Sequence, residues 1–539
     1  MRRTPPLVAV VVLGLAVPAC GTDVPEPTVA GAPGQELDAT TIPELQERMT
    51  AGELTAVELA ETYLGRIEVL DDDLGAVLRV NQDALADAEE SDRVRAVSGP
   101  RSAMEGIPVL LKDNIDTAGL PTTAGSRALL GSEPDDATIT RRLRAAGAVL
   151  IGKANLSEWA YFRSGAGTSG WSAVGGQTDN PYVLDRNPCG SSSGSAVGVA
   201  ASLAQVAVGT ETDGSIVCPA ATTGVVGLKP TLGLVSRDGI VPISAEQDTA
   251  GPIARHVVDA AILLSVLAGS DPADPATAQI PAELDGDFPG LEPAALEGAR
   301  IGVWRLTTGQ SEAVDDGTEA VYERAVKELE AAGATTVDVR LPYQREIAEG
   351  ATPALLAEFH RDVDAYLAAT PGDHPADLAG LVEFNDQDGA ELEHFGQELF
   401  EQALAAPVPA EDPAVAELRA TIRDLARRSV DEVLAQGPGA EDDLDAIVGL
   451  TGTPAWITRY VDEDGAGDEF VYSTSTPAAV AGYPSVTVPA GFAGPEEALP
   501  VGISFIGTRW RDADLLDLAA AFEAAHPARR PPEFLPTVG

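Results

Sequence analysis

Ser215 stands in the stretch GTETDGSIVCP, between a glycine and an apolar pair. A serine hydroxyl attacks a carbonyl only when a neighbouring base takes its proton. Histidine is the usual base, yet none of the five precedes His256. The chain has only four lysines, Lys112, Lys153, Lys229 and Lys327, and uses arginine almost everywhere else. Lys112 follows the apolar run IPVLL and precedes Asp113 and Asn114, which places it at the end of a buried strand. Burial disfavours the ammonium form and lowers its pKa, and a neutral amine can act as a general base. The same position also suits a lysine in a structural salt bridge, the role expected of Lys153 and Lys229. A third string, CGSSSGSA (Cys189 to Ala196), gathers hydroxyls on a glycine-punctuated backbone. Such a loop can cap a helix, or a serine in it can relay a proton from nucleophile to lysine. Gly214 lets the backbone bend so that successive N–H groups from Thr212, Asp213 and Gly214 to Ser215 point one way, as an oxyanion requires.

These residues need rigid elements beneath them. Residues 41–70 carry apolar positions at helical spacing and predict a helix pair broken at Gly52. Ile107–Leu111 and Ala148–Asn155 predict buried strands, the second after a helix over Ile139–Ala146. Residues 164–195 predict a long loop, and Ala196–Val208 a buried helix running into a strand. Residues 271–440 are acidic and Ala-rich and predict a variable helical cover. Strand patterns return at Asp445–Leu450, Pro484–Ala490 and Val501–Gly507, before a closing helix over Asp512–Ala525. Strands alternating with helices argue for an α/β layered fold over residues 41–539. Trp159, Phe162 and Trp456 are pocket candidates, although core packing is the expectation for any one of them.

The composition excludes several functions. With 84 acidic against 35 basic residues, the net charge of −49 opposes nucleic acid and anionic membrane surfaces. GAGTSG (Gly165 to Gly170) matches a dinucleotide fingerprint in letters, but loop-like residues follow where a helix is required. GVVGLKPT (Gly224 to Thr231) lacks the spacing of a phosphate loop. No paired-His or Cys-x-x-Cys spacing offers a metal site, so neither metal nor cofactor is expected. At the N-terminus Arg2 and Arg3 precede an apolar run and the string VPAC. That pattern reads as an export signal over residues 1–19. Cys20 is then either acylated as a lipid anchor or left in an ordinarily secreted protein, and a flexible tether follows through residue 40. Of the remaining cysteines, Cys189 and Cys218, buried thiols are expected rather than a disulfide.

Together, GIPVLLKDN around Lys112, CGSSSGSA, and GTETDGSIVCPAATTGVVGLKPT resemble the amidase signature family. GPIAR at Gly251 to Arg255, AGYPSVTVPAGF and LPVGISFIG extend the resemblance over about residues 55–520. It implies a single large α/β/α layered domain with a mixed central sheet covered by helices, and a Ser–cisSer–Lys triad of Ser215 as nucleophile, Ser191 after a cis peptide bond, and Lys112 as base. The strings CGSSSGS, TETDGS and ANLSEWAYFRS are most similar to the bacterial peptide amidase branch, which implies hydrolysis of C-terminal peptide amides without a cofactor. Aryl, aliphatic or fatty-acid amides are the alternative substrates. An exported amide-binding protein without turnover is the alternative of another class, although it would not need all three triad residues. An amidotransferase subunit acting on charged tRNA fits neither the export signal nor the negative charge.

Overall fold

A computed structural model describes residues 34–538 apart from 285–290, 306–313, 408–411, 436–442, 461–467 and 469–472. The proposed export signal and Cys20 lie outside the described residues. The predicted helix pair forms as α1 (Ile42–Ala51) and α2 (Ala56–Leu70). Each begins with a capping box, Thr41 with Glu44 and Thr55 with Glu58, and Gly52 ends the first at φ +73°. Residues 35–39, at the end of the stretch read as a tether, form a short 3-10 turn with Leu37 buried.

The centre is an 11-stranded mixed sheet. In chain order its strands are β1 (Val77–Val80), β2 (Pro108–Lys112), β3 (Val149–Ala154), β4 (Val206–Glu211), β5 (Val226–Lys229) and β6 (Thr249–Ala254). They continue as β7 (Arg300–Trp304), β8 (Thr335–Val339), β9 (Ala446–Leu450), β10 (Ser485–Ala493) and β11 (Leu499–Ile506). In space they run β1-β3-β2-β4-β6-β5-β10-β11-β9-β7-β8. Strand β2 lies parallel to both β3 and β4, and every one of its residues is buried. That explains its unbroken apolar sequence, because a strand covered on both faces shows no alternation.

Around this sheet lie α3 (Ala84–Ser98), α4 (Thr138–Ala146), α5 (Ser193–Ala200), α6 (Val217–Thr222), α7 (Val257–Leu267) and α8 (Asp316–Ala331). They are followed by α9 (Gln344–Ala369), α10 (Leu378–Gln387), α11 (Glu398–Ala405), α12 (Pro413–Leu434), α13 (Ser475–Ala481) and α14 (Asp512–Ala525). No helix of the described residues is long and apolar enough to cross a membrane. The reading of 271–440 as helical cover needs correction. Helices α9 to α12 do form a cover, but β7 and β8 from the same stretch complete one edge of the central sheet. Strand β8 is TTVDV, half-exposed at that edge, so its few apolar residues give only a short pattern between strong helix formers.

Candidate active site

Strand β2 delivers Lys112 to its C-terminal end, fully buried. Its Nζ lies 2.7 Å from Ser191 Oγ, 2.9 Å from Thr210 Oγ1 and 3.2 Å from the Thr210 carbonyl. Asn114 Nδ2 donates to the same Thr210 hydroxyl at 2.9 Å. Burial pushes Lys112 down to about 7, against the more distant carboxylates of Asp248 and Glu211, which favour its charged form. A neutral amine has two N–H bonds. With both directed at Thr210, its lone pair is left facing Ser191 Oγ.

The serine-rich loop answers which hydroxyl the lysine meets. Ser192 Oγ donates to the Thr210 carbonyl and accepts from its N–H, Ser193 Oγ donates to Cys189 O, and Ser195 Oγ donates to Val208 O. Ser192 and Ser195 thereby fasten the loop and the start of α5 to β4, and Ser193 closes the loop on itself. Ser191 alone of the four touches Lys112, and the Gly190–Ser191 peptide bond is cis. Gly194 is required at the start of α5, because a Cβ there would sit 2.3 Å from Ala76 O.

Ser215 follows β4 at the turn into α6. The buried Glu211 carboxylate accepts from the N–H groups of Ile216 at 2.8 Å and Val217 at 3.1 Å, fixing that turn. Gly214 takes φ +80°, where a side chain is disfavoured. Among the described residues, no protein acceptor takes the N–H of Asp213, Gly214 or Ser215. The N–H of Thr212 likewise meets no protein acceptor, while its hydroxyl donates to Asp248 Oδ1 at 2.6 Å. The Asp213 carboxylate, whose pKa burial raises, accepts from Ser475 and Thr476 at 2.6 and 2.8 Å. This ties the turn to the start of α13.

Cys189 and Cys218 form a disulfide with their Cα atoms 6.0 Å apart, which corrects the expectation of thiols. The cause is tertiary. Ser192 N donates to Ser215 O at 3.1 Å, so the two loops meet and their cysteines with them. The bridge lies two residues before Ser191 and three after Ser215.

A cavity of about 300 Å³ opens over these residues. Ser191, Ser215, residues 212–214 and both cysteines line it, together with the apolar Phe162, Ile243 and Leu355. Tyr161, Ser169, Ser473, Ser475 and Thr476 also line it and were not read from sequence; the last three come from a segment far from the catalytic strings in the chain. Of the aromatic candidates only Phe162 lines the cavity. Trp159 packs edge-on against Phe400 in the core, and Trp456 donates to Asp468. None of the five histidines lines it. Lys153 makes its expected ion pair, with Asp113 at 3.0 Å, whereas Lys229 donates to the Pro230 carbonyl at 3.1 Å. No cluster of potential metal ligands occurs among the described residues.

Residues 58–516 match the amidase family. A probable amidase of Arabidopsis thaliana is 38% identical over 512 residues, spanning 93% of this chain and 92% of that protein. The solved peptide amidase of Stenotrophomonas maltophilia is 48% identical with a TM-score of 0.82, over 92% of this chain and 98% of that one. The peptide amidase PAM, solved with the competitive inhibitor chymostatin, is 49% identical with a TM-score of 0.85, over 92% and 99% of the two chains.

Proposed function

This chain belongs to the amidase family and is an amide-hydrolysing enzyme, and on that premise we propose that it cleaves C-terminal peptide amides to acid and ammonia through an acyl-enzyme on Ser215. The observation that carries this is the buried Lys112–Ser191 contact of 2.7 Å, with Ser191 lining the same cavity as Ser215. As Ser215 Oγ bonds to the amide carbonyl carbon, its proton passes to Ser191 Oγ and that of Ser191 to Lys112 Nζ. The carbonyl oxygen becomes an oxyanion facing the free N–H groups of the 213–215 turn. The C–N bond then breaks while the relay, run in reverse, protonates the nitrogen, and ammonia leaves. Water repeats the addition on the ester and restores Ser215.

The preference for peptide amides is supported by identity of nearly one half to two peptide amidase structures. It is also supported by the hydroxyl-rich wall of Ser169, Ser473, Ser475 and Thr476, suited to a peptide backbone. Ser215→Ala should lower ammonia release about 10⁴-fold or more with the fold intact, because such residues act as a unit. A panel of peptide amides, aryl amides and long-chain acyl amides tests the substrate class, and turnover confined to aryl or acyl amides would overturn it. Export, with Cys20 acylated, is the companion proposal. The charged and apolar N-terminal run supports it, as does a disulfide suited to an oxidising compartment. Mass spectrometry of membrane-fraction protein should find a lipidated Cys20 at its N-terminus.

A further inference from the structure

Behind the 212–215 turn, away from the cavity, a chain of buried polar groups leads into the helical cover. Gln247 is 2% exposed, and its Nε2 donates to the Thr212 carbonyl at 2.7 Å. Its Oε1 accepts from Arg419 Nη1, on α12, also at 2.7 Å. Arg419 in turn grips Glu358, on α9, with two parallel hydrogen bonds of 2.7 and 2.5 Å. Glu358 Oε2 also accepts from Ser244 Oγ at 2.6 Å, closing the network onto the 243–248 turn that carries Gln247. Arg419 and Glu358 are 3% and 1% exposed, so the pair is desolvated on both sides. The orientation of the Gln247 amide is dictated by its partners: a guanidinium only donates and a carbonyl only accepts.

Peptide geometry gives this network a consequence at the site. The Thr212 carbonyl and the Asp213 N–H belong to one planar trans peptide unit and point in opposite directions. Fixing the carbonyl on Gln247 therefore aims the Asp213 N–H to the other side, where no protein group receives it. Donation to the carbonyl also polarises the peptide and strengthens its N–H as a donor. We infer that Gln247 is a positioning residue that aims the Asp213 N–H at the oxyanion, held in place by the Arg419–Glu358 pair of the helical cover. The cover thereby acts on the chemistry as well as on pocket shape. Gln247 can matter to turnover in this way only if Ser215 is the nucleophile, the reading proposed above.

An oxyanion exists only after attack, so losing its alignment should reduce kcat and leave substrate binding alone. Gln247→Met keeps the length of the side chain and removes its donor. With an N-blocked dipeptide amide as substrate, kcat should fall about 10- to 100-fold and KM should stay within about twofold. A peptide aldehyde, which forms a tetrahedral oxygen adduct on Ser215, should lose affinity by a similar factor. The acid limb of the pH profile should not move, because Lys112 is untouched. Glu358→Gln, which weakens the grip on Arg419, should show a smaller loss of the same kind and provides the test if Gln247→Met does not fold. Wild-type kcat in a folded variant, or a loss carried by KM with aldehyde affinity unchanged, would overturn the inference. Substantial turnover by Ser215→Ala would instead overturn the nucleophile assignment, which keeps the two failures apart.

Discussion

Lys112 owes its proposed role to isolation. Among the described residues no carboxylate is in contact with it; its hydrogen-bond partners are the Thr210 carbonyl and two hydroxyls, and burial dominates its shift to about 7. Protonation occupies the lone pair that faces Ser191, so activity should be lost as pH falls. We predict a plateau of kcat/KM on the alkaline side and a loss of about tenfold per pH unit below about 7, governed by one proton. Lys112→Arg should be inactive across the range, because a guanidinium stays protonated. Substituting His256, His360, His374, His394 and His526 singly by Gln should leave the acid limb in place. A limb displaced in any one of these variants would assign the base to a histidine. Of the proposed relay, Lys112 and Ser215 stood out in sequence by their local strings, whereas the choice of Ser191 among four serines came from the family resemblance. Ser475 and Thr476 did not stand out, since nothing local in STSTP signals that it fastens Asp213 across 262 residues.

The elements show a similar division. Strands β2, β3 and β4 were legible as apolar runs because they are buried on both faces, whereas β7, though buried, and the half-exposed edge strand β8 were hidden in a helix-forming stretch. The disulfide escaped reading for a related reason, since its partners stand 29 residues apart and meet only when the two loops pack. It closes a loop that contains α5 and β4, the elements linking Ser191 to Ser215. Loop closure of that length stabilises by about 3.6 kcal/mol in the chain-entropy account. The double variant Cys189→Ser with Cys218→Ser should therefore fold with a lower Tm, and a reducing agent should lower the Tm of the wild type but not of the variant. A wild-type Tm insensitive to complete reduction, verified by thiol titration, would show that the bridge contributes nothing.

At the scale of the whole molecule, acid should affect stability and activity in opposite senses. Burial raises Asp71, Asp116, Asp248 and Asp259 to about 6 and Asp179 to about 7, against about 3.9 in an unfolded chain. In that interval the folded protein holds protons that the unfolded chain has released, so stability falls as pH rises through it. Carboxyls held low by arginine, such as Glu105 and Asp274, withdraw their contribution only below about pH 4. Lys112 works the other way, but its window runs from about 7 up to the ordinary lysine value near 10.4, outside the acid range. Self-repulsion at a net charge of −49 acts in the same direction as the raised carboxyls and weakens under salt. The Tm at pH 5.5 should therefore exceed that at pH 7, by a margin that shrinks but persists in about 0.5 M sodium chloride, where the Debye length is only a few ångström. Over the same interval kcat/KM should fall by more than about tenfold and return on raising the pH. If Tm and activity instead fell together between pH 7 and 5.5, the acid limb would report unfolding, and the titration of Lys112 would no longer explain it.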